Sequence, residues 1–461
     1  MVDDVEKSLY ARRQKIYPRE VHGVFATLRV TAVLVLLGLF YGVAWLSWDG
    51  QQLLLFDLPA RQFHVFGMLF FPQDFLYLTF MLIIAALTLF FFTALAGRLW
   101  CGYACPQTVW TEVFLWIERK IEGDRPRQMK LDKSPLGARK FAIKGAKHLV
   151  WVLFSLWTGF TFVGYFTPIT ELGARALEFS LGPWETFWIF FYGFATYGNA
   201  GWMREQVCIY MCPYARFQSA MFDRDTLIIS YDSERGEPRG ARRRGSDPKA
   251  AGLGDCIDCT LCVQVCPTGI DIRNGLQYQC IACASCIDVC DEVMDKMGYP
   301  RGLVRYTTEN AVSGKQTHVV RPRILVYSAI LALLMVALVV SVMLRSPLEL
   351  DVIRDRNALY RETSEGLVEN VYELKIVNMD ERAHRFRLSL EGPESLALIT
   401  EEPEIAVDAA SVRVVVASAR IDPARLSQRS TEIRFRIDSL DEEELGADAV
   451  ARFLGPTPSA R

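Results

Sequence analysis

The twelve cysteines are the residues of this chain with the most definite chemistry, and their spacing is regular. Cys256, Cys259, Cys262 and Cys266 follow a C-x2-C-x2-C-x3-C pattern, and Cys280, Cys283, Cys286 and Cys290 repeat it. Three thiolates at that spacing wrap one corner of an iron–sulfur cubane, and the fourth cysteine of each run reaches the other cluster. The expectation is two [4Fe–4S] clusters. Cys256, Cys259, Cys262 and Cys290 would hold one; Cys280, Cys283, Cys286 and Cys266 would hold the other. A pair of zinc sites is the competing chemistry, but zinc sites are usually built from two separated C-x2-C pairs. Pro267 follows the first run, whereas Asp291 stands at the matching place after the second. Apolar residues among the ligands, such as Ile257, Val265, Ile281 and Val289, would line a path for single electrons.

The other four cysteines form two C-x3-C-P motifs, Cys101 to Pro106 and Cys208 to Pro213. Each follows an apolar hairpin and an arginine, Arg98 or Arg204. On a continuing helix, cysteines at i and i+4 share a face. A neighbouring guanidinium favours thiolate over thiol. Two such pairs can converge as four soft ligands, and soft thiolates select Cu(I), zinc or iron–sulfur clusters. Small cysteines packing helix ends are the plain alternative; a repeated identical spacing with a following proline argues against it. Cys101, Cys105, Cys208 and Cys212 are therefore candidate redox or metal-binding thiols. The five histidines, His22, His64, His148, His318 and His384, avoid the middle of every apolar block, so no membrane haem is expected. No glycine-rich dinucleotide fingerprint follows a predicted strand.

These thiols must be positioned by a membrane scaffold. Of 461 residues, 51% are hydrophobic, and the apolar ones come in long blocks. The predicted spans are Val24 to Trp48, Phe75 to Gly97, Leu149 to Thr167, Trp184 to Met203 and Ile324 to Leu344. Arg29, near the start of the first, can snorkel. Thr108 to Ile121 reads as an amphipathic helix at the interface. Residues 49–73 read as a loop, and residues 232–254 as a flexible basic linker. Tryptophans at span ends, among them Trp45, Trp100 and Trp202, read as belt residues. Basic residues crowd the N-terminus (Lys7, Arg12, Arg13, Lys15, Arg19), residues 98–148 and residues 204–323, and are scarce in residues 49–73 and 168–183. The positive-inside rule places the first set in the cytoplasm, so every cysteine would face a reducing compartment and the C-terminus would lie outside. A net charge of −2 points to no nucleic-acid partner. Residues 350–461 alternate apolar and polar positions, as in Tyr372 to Ile376 and Ile433 to Ile437, which fits an immunoglobulin-like sandwich.

The expected architecture is mixed. A cytoplasmic N-terminus (1–23) precedes a four-span domain with both C-x3-C-P motifs (24–230). A ferredoxin-like domain (231–323), a fifth span (324–344) and an all-β immunoglobulin-like domain (345–461) follow. This arrangement resembles the CcoG/RdxA/FixG family over nearly the whole chain. The stretch Tyr231 to Gly240 is also similar to that family. The resemblance implies a bacterial inner-membrane accessory protein for assembly of a cbb-type haem–copper oxidase. It implies reduction of Cu(II) to Cu(I), with oxidase subunits or copper-delivery proteins as partners and an unidentified cytoplasmic electron donor. The absent proline after Cys290 is the one departure from the motif. Two other readings remain open: a NapH-type conduit from quinol to the periplasm, and a copper-binding chaperone whose clusters are structural.

Overall fold

The computed structural model describes residues 15–48, 50–244, 246–247, 252–380, 382–426, 428–442 and 445–456. Lys7, Arg12 and Arg13 lie outside the described residues. The chain divides into two compact units, Met1–Ala337 and Leu338–Arg461.

In the first unit, membrane-type helices support the segments that carry the thiols. Among the described residues, four helices are long and apolar enough to cross a membrane: Val24–Trp45, Pro72–Ala96, Ala138–Val163 and Pro322–Met343. Their large apolar side chains are widely exposed, Leu34, Leu82 and Leu333 among them, as a lipid-facing surface requires. The α-helical part of the first is α1 (Val24–Gly42), and that of the second is α2 (Phe75–Ala96). A five-residue helix, α3 (Leu99–Tyr103), carries Cys101, and α4 (Pro106–Glu122) follows with Pro106 in its first turn. The third long helix, α5 (Ala138–Val163), begins well before Leu149 because Ala138 to His148 continue the same turns.

The segment expected as a span from Trp184 to Met203 is not among those four. It forms the 14-residue α6 (Pro183–Thr196), which passes into a π-helix over Tyr197–Met203. Fourteen α-helical residues reach about 21 Å, short of the roughly 30 Å hydrocarbon core, and the wider π turn must supply the rest. α6 still faces outward with Trp184, Phe190 and Phe194 exposed. It packs closely on α5 through glycines: a Cβ on Gly159 would lie 2.2 Å from the Ile189 carbonyl oxygen. Such small-residue crossings are how helices approach in lipid, where apolar burial supplies little drive.

Residues 49–73 contain short strands rather than an open loop. Leu54–Asp57, Gln62–Val65 and Met68–Phe70 form a three-stranded antiparallel sheet, tied to the end of α5 by Phe56 N–H to the Tyr165 carbonyl at 2.7 Å. The described part of residues 232–254 is likewise held, not loose. Arg235 pairs with Asp255 at 2.5 Å and donates to the carbonyls of Pro300 and Arg301. Arg242 donates to the Gly254 carbonyl at 2.6 Å and to the Tyr299 hydroxyl at 2.9 Å. Both arginines fasten the segment to the cysteine-rich domain, whose core includes α7 (Ser285–Met297) and the strand pair Ile228–Tyr231 with Val304–Thr307.

The second unit is an antiparallel β-sandwich. Its strands are β1 (Leu348–Arg354), β2 (Val368–Asn378), β3 (His384–Glu391), β4 (Ala397–Thr400), β5 (Glu404–Val407), β6 (Ser411–Ile421), β7 (Ser430–Ser439) and β8 (Gly446–Leu454). One sheet runs β4-β6-β2-β1, with Arg361–Glu362 added against β2, and the other runs β5-β3-β7-β8. Alternate residues of the strands face inward; Tyr372, Leu374, Ile376, Phe386, Phe435 and Ile437 are buried in one core. Burial of the Tyr372 ring is made compatible with its hydroxyl by a 3.1 Å hydrogen bond to the Arg452 carbonyl.

Candidate iron–sulfur relay and four-cysteine site

Cys256, Cys259, Cys262 and Cys290 line one small cavity, with Ile257, Leu261, Val289 and Leu303 in its wall. Cys266, Cys280, Cys283 and Cys286 line a second, with Ile270, Ile272 and Ile281. Cys262 borders both. Among the described residues, no three Cys, His, Asp or Glu side chains, those of the C-x3-C-P motifs included, close on a single point. Sulfurs standing around two similar apolar cavities suit a multi-atom group, and the residues present fit a [4Fe–4S] cluster in each. Bound there, a cluster would supply one-electron transfer.

The two ligand loops share a backbone device that spacing alone did not reveal. Asp258 and Thr260 have φ of 53° and 56°, and Ala282 and Ala284 have φ of 54° and 59°. These residues occupy the second and fourth places after Cys256 and after Cys280. Left-handed residues set among right-handed ones turn successive N–H groups into an anion-binding concavity. Non-glycine residues adopt that conformation at a cost and persist when the surroundings demand it.

Asp291 is explained by its position. The first run ends its short helix at Gln264, so Pro267 is tolerated, whereas Cys290 and Asp291 lie inside α7. Proline there would remove a helix hydrogen bond. Asp291 instead accepts the Gly302 N–H at 2.9 Å. Asp288, on the same helix, accepts Phe25 N–H at 3.2 Å and Ala26 N–H at 2.7 Å, and so caps the N-terminus of α1. Arg29 does not snorkel: it is buried and donates to the Cys283 carbonyl at 2.5 Å.

The two C-x3-C-P motifs converge. Cys105 and Cys212 both act on Cys101, and Cys101, Cys105 and Cys212 all act on Cys208, so the four thiols lie within mutual electrostatic reach. The route to that convergence differs from two continuous helices. α3 stops at Tyr103, and Cys105 is extended at the start of α4. Cys208 lies in a π-helix, Val207–Met211, which Cys212 ends by donating its N–H to the Val207 carbonyl at 2.8 Å. Thr108 Oγ1 donates to the Cys101 carbonyl at 2.6 Å, and Gln218 Nε2 reaches Cys101 Sγ at 3.6 Å. Gly102 is pressed onto the second-cluster loop: an added Cβ would lie 2.8 Å from the Ile281 carbonyl oxygen and 2.9 Å from that of Ala282.

The electrostatics also differ from expectation. Burial pushes the Cys101 thiol up to about 11 and the Cys208 thiol up to about 12; Arg98 opposes this but is outweighed. Cys105 is raised as well, again chiefly by burial. Arg204 is not free to support a thiolate. Its guanidinium pairs with Glu118 at 2.7 Å, where Lys147 also binds at 3.2 Å. Burial alone would raise the Glu118 carboxyl, but Arg204, Lys147 and Lys15 hold it at about 2. Lys15 reaches Asp132 at 2.8 Å and Glu118 at 3.6 Å, so the N-terminal strap belongs to the same network.

Comparison with known proteins agrees with this arrangement. A family model described as a 4Fe-4S binding domain matches residues 78–123, and one described as a 4Fe-4S dicluster domain matches residues 203–309. A third, for the IG-like fold at the C-terminal of FixG, matches residues 338–456. Protein RdxB of Cereibacter sphaeroides is 39% identical over 95% of this chain and 96% of its own length. The nitrogen fixation protein FixG of Rhizobium meliloti is 37% identical over 84% of this chain and 81% of its own. Among solved structures, a FixG-related protein from Vibrio parahaemolyticus matches 24% of this chain and 97% of that one, at 28% identity and a TM-score of 0.22. With this identity sustained over nearly its full length, the chain belongs to the FixG/RdxA/RdxB family of membrane iron–sulfur oxidoreductases.

Proposed function

We propose that the protein reduces Cu(II) to Cu(I) for assembly of a cbb-type cytochrome c oxidase. In this reading Cys101, Cys105, Cys208 and Cys212 receive the copper, and clusters held by the eight other cysteines would pass it electrons one at a time from a reduced cytoplasmic donor. The carrying observation is the contact of Gly102 with the Ile281–Ala282 backbone, which joins the four-thiol site to the second cluster loop. Thiolate sulfur favours Cu(I), whereas nitrogen and oxygen favour Cu(II), so ligation by these thiolates raises the copper potential and draws the electron to it. The reaction balances as one electron per copper ion. The chain sits in a bacterial inner membrane with the thiols at the cytoplasmic face and the sandwich in the periplasm, where oxidase subunits or copper-delivery proteins would meet it. The charge asymmetry of the loops supports that orientation.

The test uses anaerobically purified full-length protein. Cys208→Ala/Cys212→Ala should retain iron, acid-labile sulfide and the reduced-cluster EPR signal, yet fail to reduce Cu(II) from a low-potential donor in the presence of a Cu(I) chelator. Wild-type copper reduction by the quadruple alanine variant would remove the motifs from the copper site. Loss of cluster iron in that variant would make them cluster ligands or supports instead.

A further inference from the structure

Two buried arginines attend the second cluster loop, whereas the arginine at the first, Arg273, is bound by carboxylates. Arg98 is 6% exposed and Arg29 is 8% exposed. Arg98 donates to the Cys280 carbonyl at 3.3 Å and to the Ala215 carbonyl. Among the described residues it forms no ion pair with a carboxylate. Arg29 donates to the Cys283 carbonyl at 2.5 Å; its one carboxylate neighbour, Glu112, stands 3.8 Å away, and its buried Nε has no hydrogen-bond partner. A buried guanidinium without a carboxylate is costly unless other negative charge lies beside it. With a cluster bound there, the thiolates of Cys280 and Cys283 would supply that charge, and Arg98 already lies within electrostatic reach of Cys280.

At the first cluster the cation is already neutralised. Arg273, in the wall beside Cys262, pairs with Asp271 at 2.7 Å and Asp258 at 2.5 Å. Adding one electron to a cluster adds one negative charge. A buried cation without a carboxylate partner, as Arg98 is, favours that charge more in a poorly screened interior than a cation bound by two carboxylates does; Arg29, paired with Glu112, adds less. Cluster potentials follow local charge and hydrogen bonding in this way.

We propose that Arg98, supported by Arg29, makes the second cluster the better electron acceptor of the two, and so directs electrons from the exposed Cys259 end towards the four-cysteine site. One cluster loses one electron and the other gains it; no proton moves. Arg98 is a tuning residue, not a ligand. The inference rests on the two-cluster assignment and not on copper chemistry.

The test is an EPR-monitored redox titration of anaerobic full-length protein, with iron and sulfide measured separately so that the cluster assignment stands or falls on its own. Two one-electron transitions are expected, and Cys286→Ser should alter the one at higher potential. Arg98→Gln should lower that transition by about 59 mV or more, a tenfold change in the one-electron equilibrium, and leave the other in place. Arg98→Lys, which keeps the charge, should retain most of the wild-type potential. Unchanged potentials in Arg98→Gln, an equal drop in Arg98→Lys, or an effect of Cys286→Ser on the lower transition would overturn the proposal. Should Arg98→Gln lose its iron, Arg29→Gln carries the same measurement, with the same shift expected and the same result overturning it.

Discussion

Cys101 and Cys208 are neutral thiols at pH 7 in the metal-free protein, because burial outweighs the guanidinium beside them. A soft metal ion must therefore displace protons to bind there. The apparent affinity of the four-cysteine site should rise with pH, by up to tenfold per unit for each proton released, until the pH nears about 11. Competition with a Cu(I) chelator at several pH values measures the slope, and a flat profile would mean that these thiols do not bind the ion. Glu118 works in the opposite sense. Its folded value of about 2 lies below the ordinary 4.5, so its ion pairs stabilise the fold above pH 4.5 and that contribution is lost as pH falls towards 2. The difference corresponds to roughly 3 kcal/mol. Trp151 lies under Lys147 at 4.5 Å and Arg204 at 5.4 Å and should report the loss by fluorescence. Glu118→Gln should be less stable at pH 7 by about 3 kcal/mol and should lose most of the acid-dependent step.

Helix ends and tight loops, more than helix bodies, assemble the site. α3 is held against the second cluster loop at Gly102, where even one methyl group has no room. Gly102→Ala should keep the iron of both clusters but push Cys101 away from Ile281 and Ala282. Stopped-flow reoxidation of the reduced protein by Cu(II) should slow at least tenfold, while reoxidation by a small soluble oxidant should stay near the wild-type rate. A wild-type rate with Cu(II) would place the electron path elsewhere. Tyr306 supports the same loop, its hydroxyl donating to the Ala282 carbonyl at 2.6 Å. Asp288 ties α7 to the start of α1, so the cysteine-rich domain is docked on the membrane helices by its own cluster helix.

For the whole molecule, the direction of the chain across the membrane turns on the segment from Pro183 to Met203. With the four long helices alone, both ends would share a side; a fifth crossing through α6 and the π-helix would separate them. Its exposed aromatic surface, including Trp184, Phe190, Phe191 and Phe194, suits lipid on all outward sides. Reporter fusions after residues 60, 175 and 400 should read as periplasmic, and fusions after 130 and 250 as cytoplasmic. A cytoplasmic reading at 400 would show that this segment enters the membrane without crossing it.

Cysteine spacing already pointed to a fourth ligand from the other run, and the structure sets Cys290 beside Cys256, Cys259 and Cys262, and Cys266 beside Cys280, Cys283 and Cys286. Hydrophobic block length and strand alternation determined the membrane helices and the sandwich, because both are periodic properties of neighbouring residues. What the chain's order could not carry was contact between residues far apart. The spacing Cys208 to Cys212 suits an α-helix, yet tertiary packing made it a π-helix with Arg204 at φ 45° and bound to Glu118. Arg29 and Arg98 each look like a cation at a membrane edge; only the fold shows them spent on the carbonyls of Cys283 and Cys280, 254 and 182 residues away. The thiols' protonation was likewise decided in three dimensions, because burial and neighbouring charge compete through space and neither is written in the motif.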